Sequence, residues 1–126
     1  DEDKRNVIRV PASRFDDFLE QHSDIDADEI RLIWMDIQGH EARFLSGAHH
    51  FLTQHPNVPV MMEFWPYAIL RSGVSKKKFI EGVSGMYHKY ITFEAGYAEE
   101  HVINEIDRYF DLNSDPDGGS SVMLCN

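Results

Sequence analysis

Residues 30–35, Ile-Arg-Leu-Ile-Trp-Met, run directly into Asp-Ile-Gln-Gly-His-Glu at 36–41. After Arg31 the run shows no polar alternation, the pattern of a strand buried on both faces. A sheet of such strands needs helices on both sides, so the segment narrows the chain to a layered α/β domain. That leaves Asp36 to be explained, a charge at the tip of an otherwise buried segment.

The flanking pattern alternates strand and helix without an internal repeat. Asn6 to Val10 is predicted as a short strand stopped by Pro11. Ser13 is read as an N-cap with Asp16 three residues on, a weaker relative of the capping box. Phe15, Phe18, Leu19 and His22 then fall at helical spacing. Ser23 to Glu29 is an acidic loop before the Ile30 to Met35 strand. From His40 the period changes, and Phe44, Leu45, Ala48, Phe51 and Leu52 trace one helical face. Gly47 inside that helix costs about 1 kcal/mol against alanine, which suggests close packing on the sheet. Val58 to Phe64 is the next strand, and Pro66 to Gly73 an irregular helical turn. Phe79, Ile80, Val83, Met86 and Tyr87 mark a helix, Tyr90 to Phe93 a strand, and Val102, Ile103, Ile106, Tyr109 and Phe110 a last helix. After the turn-rich DLNSDPDGGSS, Val122 to Cys125 forms a final strand whose long lead-in favours an antiparallel direction.

With 126 residues, of which 42% are hydrophobic, the chain has room for one core and is expected to be a single domain over 1–126. The formal charge of −10 repels phosphate backbones, so no nucleic-acid partner is expected. No apolar run approaches the roughly 20 residues of a membrane span, and no membrane partner is expected. Cys125 stands alone, which fits a reducing compartment and makes the cytoplasm the default location. Ser75 to Lys78 is the one dense basic run. It reads as the solvated first turn of a helix in preference to a phosphate or membrane patch.

In open parallel sheets, ligands bind beyond the carboxyl ends of the strands. Asp36 sits at such an end and Glu63 near the same end of the next strand, with the start of the His40 helix between them. Gly39 allows a tight turn there, and a helix N-terminus offers unpaired N–H groups. The bland alternative is equally open at this stage. Asp36 could cap the helix or fix the turn, and Glu63 could pair with Arg71 or a backbone amide. Trp34 is read as core and Trp65 as pocket rim. His40-Glu41 does not extend to a zincin motif, because position 44 is Phe44. His49, His50 and His55 do not converge as ligands would.

Taken together, VPASRFDDFL, LIWMDIQGHEARFLSGA and VPVMMEFWPYAILRSG resemble the C-terminal half of FkbM-type methyltransferases. The matching residues are Phe15-Asp16, Asp36, Gln38, Gly39, Glu41, Leu45, Gly47, Ala48 and Glu63, with the likeness covering Val10 to about Gly73. The resemblance implies a class I, Rossmann-like sheet with flanking helices that uses S-adenosylmethionine to methylate an oxygen of a sugar or secondary metabolite. On it, Ile30 to Asp36 is the fourth strand, Val58 to Glu63 the fifth, and the last two strands complete the sheet. It implies Asp36, Glu63 and His40 as catalytic, and Asp36, Gln38 and Gly39 as cofactor-binding.

The chain also departs from that family's pattern. None of its eight glycines stands in a G-x-G turn between strand and helix. The cofactor half is therefore expected to lie outside this sequence, leaving a fragment that is inactive alone and an open strand edge that self-associates. No metal is expected. A magnesium ion on Asp36 and Glu63 would need more oxygen ligands than the sequence supplies. The competing class is a non-enzymatic acidic α/β binding or assembly module whose strand-tip acids only form turns.

Overall fold

The alternation of strand and helix takes shape in a computed structural model that describes residues 7–126. Its strands are β1 (Ile33–Met35), β2 (Val60–Phe64), β3 (Lys89–Glu94), β4 (Tyr97–Val102) and β5 (Ser120–Cys125). Its helices are α1 (Phe15–Gln21), α2 (Glu41–Gly47), α3 (His49–Gln54), α4 (Pro66–Arg71), α5 (Lys76–Ser84) and α6 (Ile106–Leu112). The sheet order is β1-β2-β5-β3-β4. Only β1 and β2 are parallel, Ile33 pairing with Val60 and Met35 with Met62. The last strand, β5, enters antiparallel between β2 and β3.

Alternation along β2 sends Val60, Met62 and Phe64 into the core, where they meet Val122 and Leu124 of β5. The helices close this face. Phe64, Phe79 and Phe110 form an aromatic cluster with ring centroids 5.8–5.9 Å apart, joining sheet, α5 and α6. Each fully buried phenylalanine contributes about 1.5–3 kcal/mol.

The opposite face corrects the expectation of helices on both sides. Across it the register aligns Trp34, Met61, Met123 and Ile91 in one row. No described helix covers Trp34, which is 77% exposed and is not a core residue. The apolar run that suggested two buried faces thus has one buried and one open.

Other differences have local causes. Asn6 lies outside the described residues, and Val7 to Val10 are exposed and form no strand. The N-cap of α1 is Arg14, not Ser13, whose hydroxyl donates to the Arg14 carbonyl. The single helix expected from His40 is split at Ala48 because two side chains intercept its ladder. Arg14 Nη2 donates to the Ser46 carbonyl at 3.4 Å. Asp16 accepts from the His50 and Phe51 N–H groups at 3.1 and 3.0 Å, capping α3 from a distant part of the chain. Gly47 packs against Arg14 in this contact, not against the sheet. Finally, Val102 ends a strand instead of opening a helix. Ala95 and Gly96, at φ 48° and 85°, make a two-residue hairpin turn that brings β4 beside β3.

Candidate active site

The parallel pair β1 and β2 places Asp36 and Glu63 at adjacent carboxyl ends. Gln38 joins them, its Nε2 donating to Asp36 Oδ1 at 2.8 Å and to Glu63 Oε2 at 2.9 Å. One neutral amide thus spends both its N–H donors on two carboxylates. Among the described residues neither acid has a cationic partner, and Arg71 lies over the Tyr67 ring instead of pairing with Glu63. Asp36 does not cap α2 either, whose N-cap is His40 without a side-chain cap bond.

Burial pushes the Glu63 carboxyl above its ordinary range, and the negative charge of Asp36, with a smaller effect from Glu41, pushes the same way. Glu63 is thus held close to a second acid.

The turn between β1 and α2 owes its shape to Glu41. This side chain is 1% exposed, and its Oε1 accepts from the N–H groups of Ile37 at 3.4 Å and Gly39 at 3.3 Å. Those two N–H groups of the turn are therefore taken by the fold. Gln38 and Gly39 pass through this turn at φ 53° and 94°. Gly39 is required there twice over. Besides its positive φ, a Cβ would stand 2.4 Å from the Ala68 carbonyl oxygen in α4. The role of Glu41 was not legible from spacing. Its signal was an acid opening an apolar helix, which also describes an ordinary solvated first turn.

Gln38 and His40 line a cleft of about 240 Å³ with Trp65, Tyr67, Arg71 and Ser72. His40 is exposed and shares this cleft with Gln38, without a hydrogen bond to either carboxylate. Trp65 follows Glu63 closely on the chain and sits at the cleft rim as expected, with its indole N–H buried and unpartnered among the described residues. Gly119, ahead of β5, brings a third segment here, because a Cβ on it would lie 4.0 Å from Glu63 Oε1 and from Trp65. Asp36, Gln38, Gly39 and Glu63 are thus brought together, with His40 beside them. No group of three or more His, Cys, Asp or Glu side chains among the described residues is arranged to hold a metal.

A five-stranded α/β sheet with flanking helices and acids at the ends of its parallel strands is a methyltransferase-like arrangement. Residues 2–113 match the model of the Methyltransferase FkbM domain, and the chain belongs to that family. The match ends before β5. No curated protein and no solved structure matches the chain. No helix among the described residues is long and apolar enough to cross a membrane.

Proposed function

We propose that the chain is the acceptor-side portion of an S-adenosylmethionine-dependent O-methyltransferase acting on a hydroxyl of a sugar or secondary metabolite. The observation that carries this is the Gln38-bridged pair of Asp36 and Glu63, without an ion-pair partner among the described residues, in a member of a methyltransferase family. The donor set suits the cofactor, since unneutralised carboxylates complement a positive sulfonium. Asp36 would hold it there, on the turn that Gln38 and Gly39 shape, and when bound it supplies an electrophilic methyl group.

The chain's own residues would do the rest. Asp36 orients the reacting groups, and positioning of this kind is the larger part of such a transfer. Glu63 accepts the hydroxyl proton as the new O–C bond forms. Its raised pKa makes it a stronger base than an ordinary carboxylate. Gln38 holds the two acids at a fixed separation. His40, which lines the adjoining cleft with Gln38, is the alternative proton acceptor. Trp65 and Tyr67 offer aromatic faces on which a sugar ring can stack.

Tight cofactor binding is expected to need a strand and glycine-rich turn beyond this sequence, so the test has two parts. Millimolar S-adenosylmethionine should shift the amide resonances of Asp36 to Gly39 in this chain. In the native gene product, Asp36→Ala should abolish methyl transfer to a glycan or metabolite acceptor. Intact turnover in that variant would remove Asp36 from the mechanism. Absence of any shift in the turn would leave the acidic binding module as the better account.

A further inference from the structure

A cavity of about 730 Å³ lies away from the acid pair, in a groove between α2 and α5. Its lining is out of character for a chain of net charge −10. Arg14, Arg43 and Lys78 face it, with Glu81 as the one acid. Its floor is apolar, built from Leu45, Val74, Phe79 and Met86. We propose that this groove binds a small organic phosphate monoester, its dianion held by the three cations and its carbon skeleton by the floor.

The basic run at Ser75 to Lys78 separates here into three different fates. Lys76 is neutralised by Asp107 and Asp111 of α6 at 3.0 and 2.7 Å. Lys77 points outward beside Glu81 at 3.8 Å. Lys78 turns into the groove and has no ion-pair partner among the described residues.

Backbone carbonyls help to place the two arginines, and only Arg14 has an acid nearby. Arg43 Nη2 donates to the Ser72 carbonyl at 2.6 Å and Arg14 Nη2 to the Ser46 carbonyl at 3.4 Å. Asp16 pairs with Arg14 at a loose 3.9 Å while also accepting from the α3 N–H groups, so Arg14 is the most compensated of the three cations. Each guanidinium keeps further N–H donors free for a ligand, and a fork held in place loses less entropy on binding. Phosphate takes several charge-assisted hydrogen bonds at once, which suits a groove lined by three cations better than one lined by a single cation. The volume lies within the roughly 300–1,000 Å³ of small-molecule sites. Gly82 leaves the wall bare, since a Cβ there would meet nothing within 4 Å.

The test is a titration of isotope-labelled protein at low salt with phenyl phosphate, with phenol as the uncharged control. Phenyl phosphate should shift α2 and α5 amides and phenol should not. Lys78→Gln should weaken binding about tenfold, as expected for one hydrogen bond to a charged group. Arg14→Gln should act alike. Gly82→Leu should block the groove without changing its charge or costing helix stability. The proposal is overturned if phenol binds as well as phenyl phosphate, if millimolar phenyl phosphate shifts nothing, or if neither Lys78→Gln nor Gly82→Leu alters the affinity.

Discussion

Three glycines at nearly the same backbone conformation allow the turn at the acid pair to be weighed against an internal reference. Gly39, Gly73 and Gly96 have φ of 94°, 86° and 85°. Alanine at any of them incurs the left-handed penalty of about 1–2 kcal/mol. Their surroundings differ. At Gly96 a Cβ meets nothing within 4 Å, and at Gly73 only the Arg43 side chain at 3.8 Å. At Gly39 it meets the Ala68 carbonyl oxygen at 2.4 Å and carbonyl carbon at 2.5 Å, backbone atoms inside α4 that cannot swing aside. Overpacking of this kind adds about 1–3 kcal/mol. Gly39→Ala should therefore cost about 4 kcal/mol in total, against about 1.5 for Gly96→Ala and Gly73→Ala. For a domain whose total stability is about 5–15 kcal/mol, the first is close to unfolding and the others are mild. Urea melts of the three variants read this directly. If Gly39→Ala lost no more than Gly96→Ala, the turn would not be wedged against α4, and the fixed placement of Gln38 between the acids would lose its support.

Three further outcomes are expected. Asp16→Ala should lower stability by about 1–2 kcal/mol by uncapping α3, seen as a lower thermal midpoint, whereas an unchanged midpoint would deny the cap. Glu63→Gln should stabilise the fold at neutral pH. The raised pKa means the folded chain holds this proton to higher pH than the unfolded one, so the destabilising contribution is absent below the ordinary value of 4.5 and grows as pH rises through the raised value. Denaturation curves across that range should be flatter in the variant, and an identical pH dependence would contradict the burial and charge assigned to Glu63. Trp34→Lys should leave stability nearly unchanged, since the indole is already in solvent, but should suppress the self-association proposed for the open β1 edge. Light scattering that finds the parent chain monomeric would refute that association.

The elements with buried faces were legible in the sequence. β2, α5 and β5 appear where apolar spacing puts them, and β5 runs antiparallel as its long lead-in suggested. β4 was not legible because Tyr97 to Val102 has the composition of an exposed edge, Glu99 and Glu100 included, and carries no buried alternation. The split at Ala48 was hidden for another reason. It depends on Arg14 and Asp16 reaching across more than thirty positions in the chain, which no local pattern records. At the site, types and order of residues sufficed to bring Asp36, Gly39 and Glu63 together. That Gln38 would be the bridge, and that Glu41 would hold the turn from below, required the fold. A glutamate at a helix start looks the same in sequence whether it faces water or backbone amides.

The place of β5 also sets the order in which the sheet can be completed. The strand that comes last along the chain stands in the middle of the sheet, and β2 and β3 touch only through it. Until it inserts, β1–β2 and the β3–β4 hairpin are two separate ribbons, each with a bare inner border of unpaired backbone groups. Synthesis delivers both ribbons before the piece that joins them. The vulnerable interval of this chain's life is thus the one before β5 arrives, when those two inner borders are open to any other chain nearby.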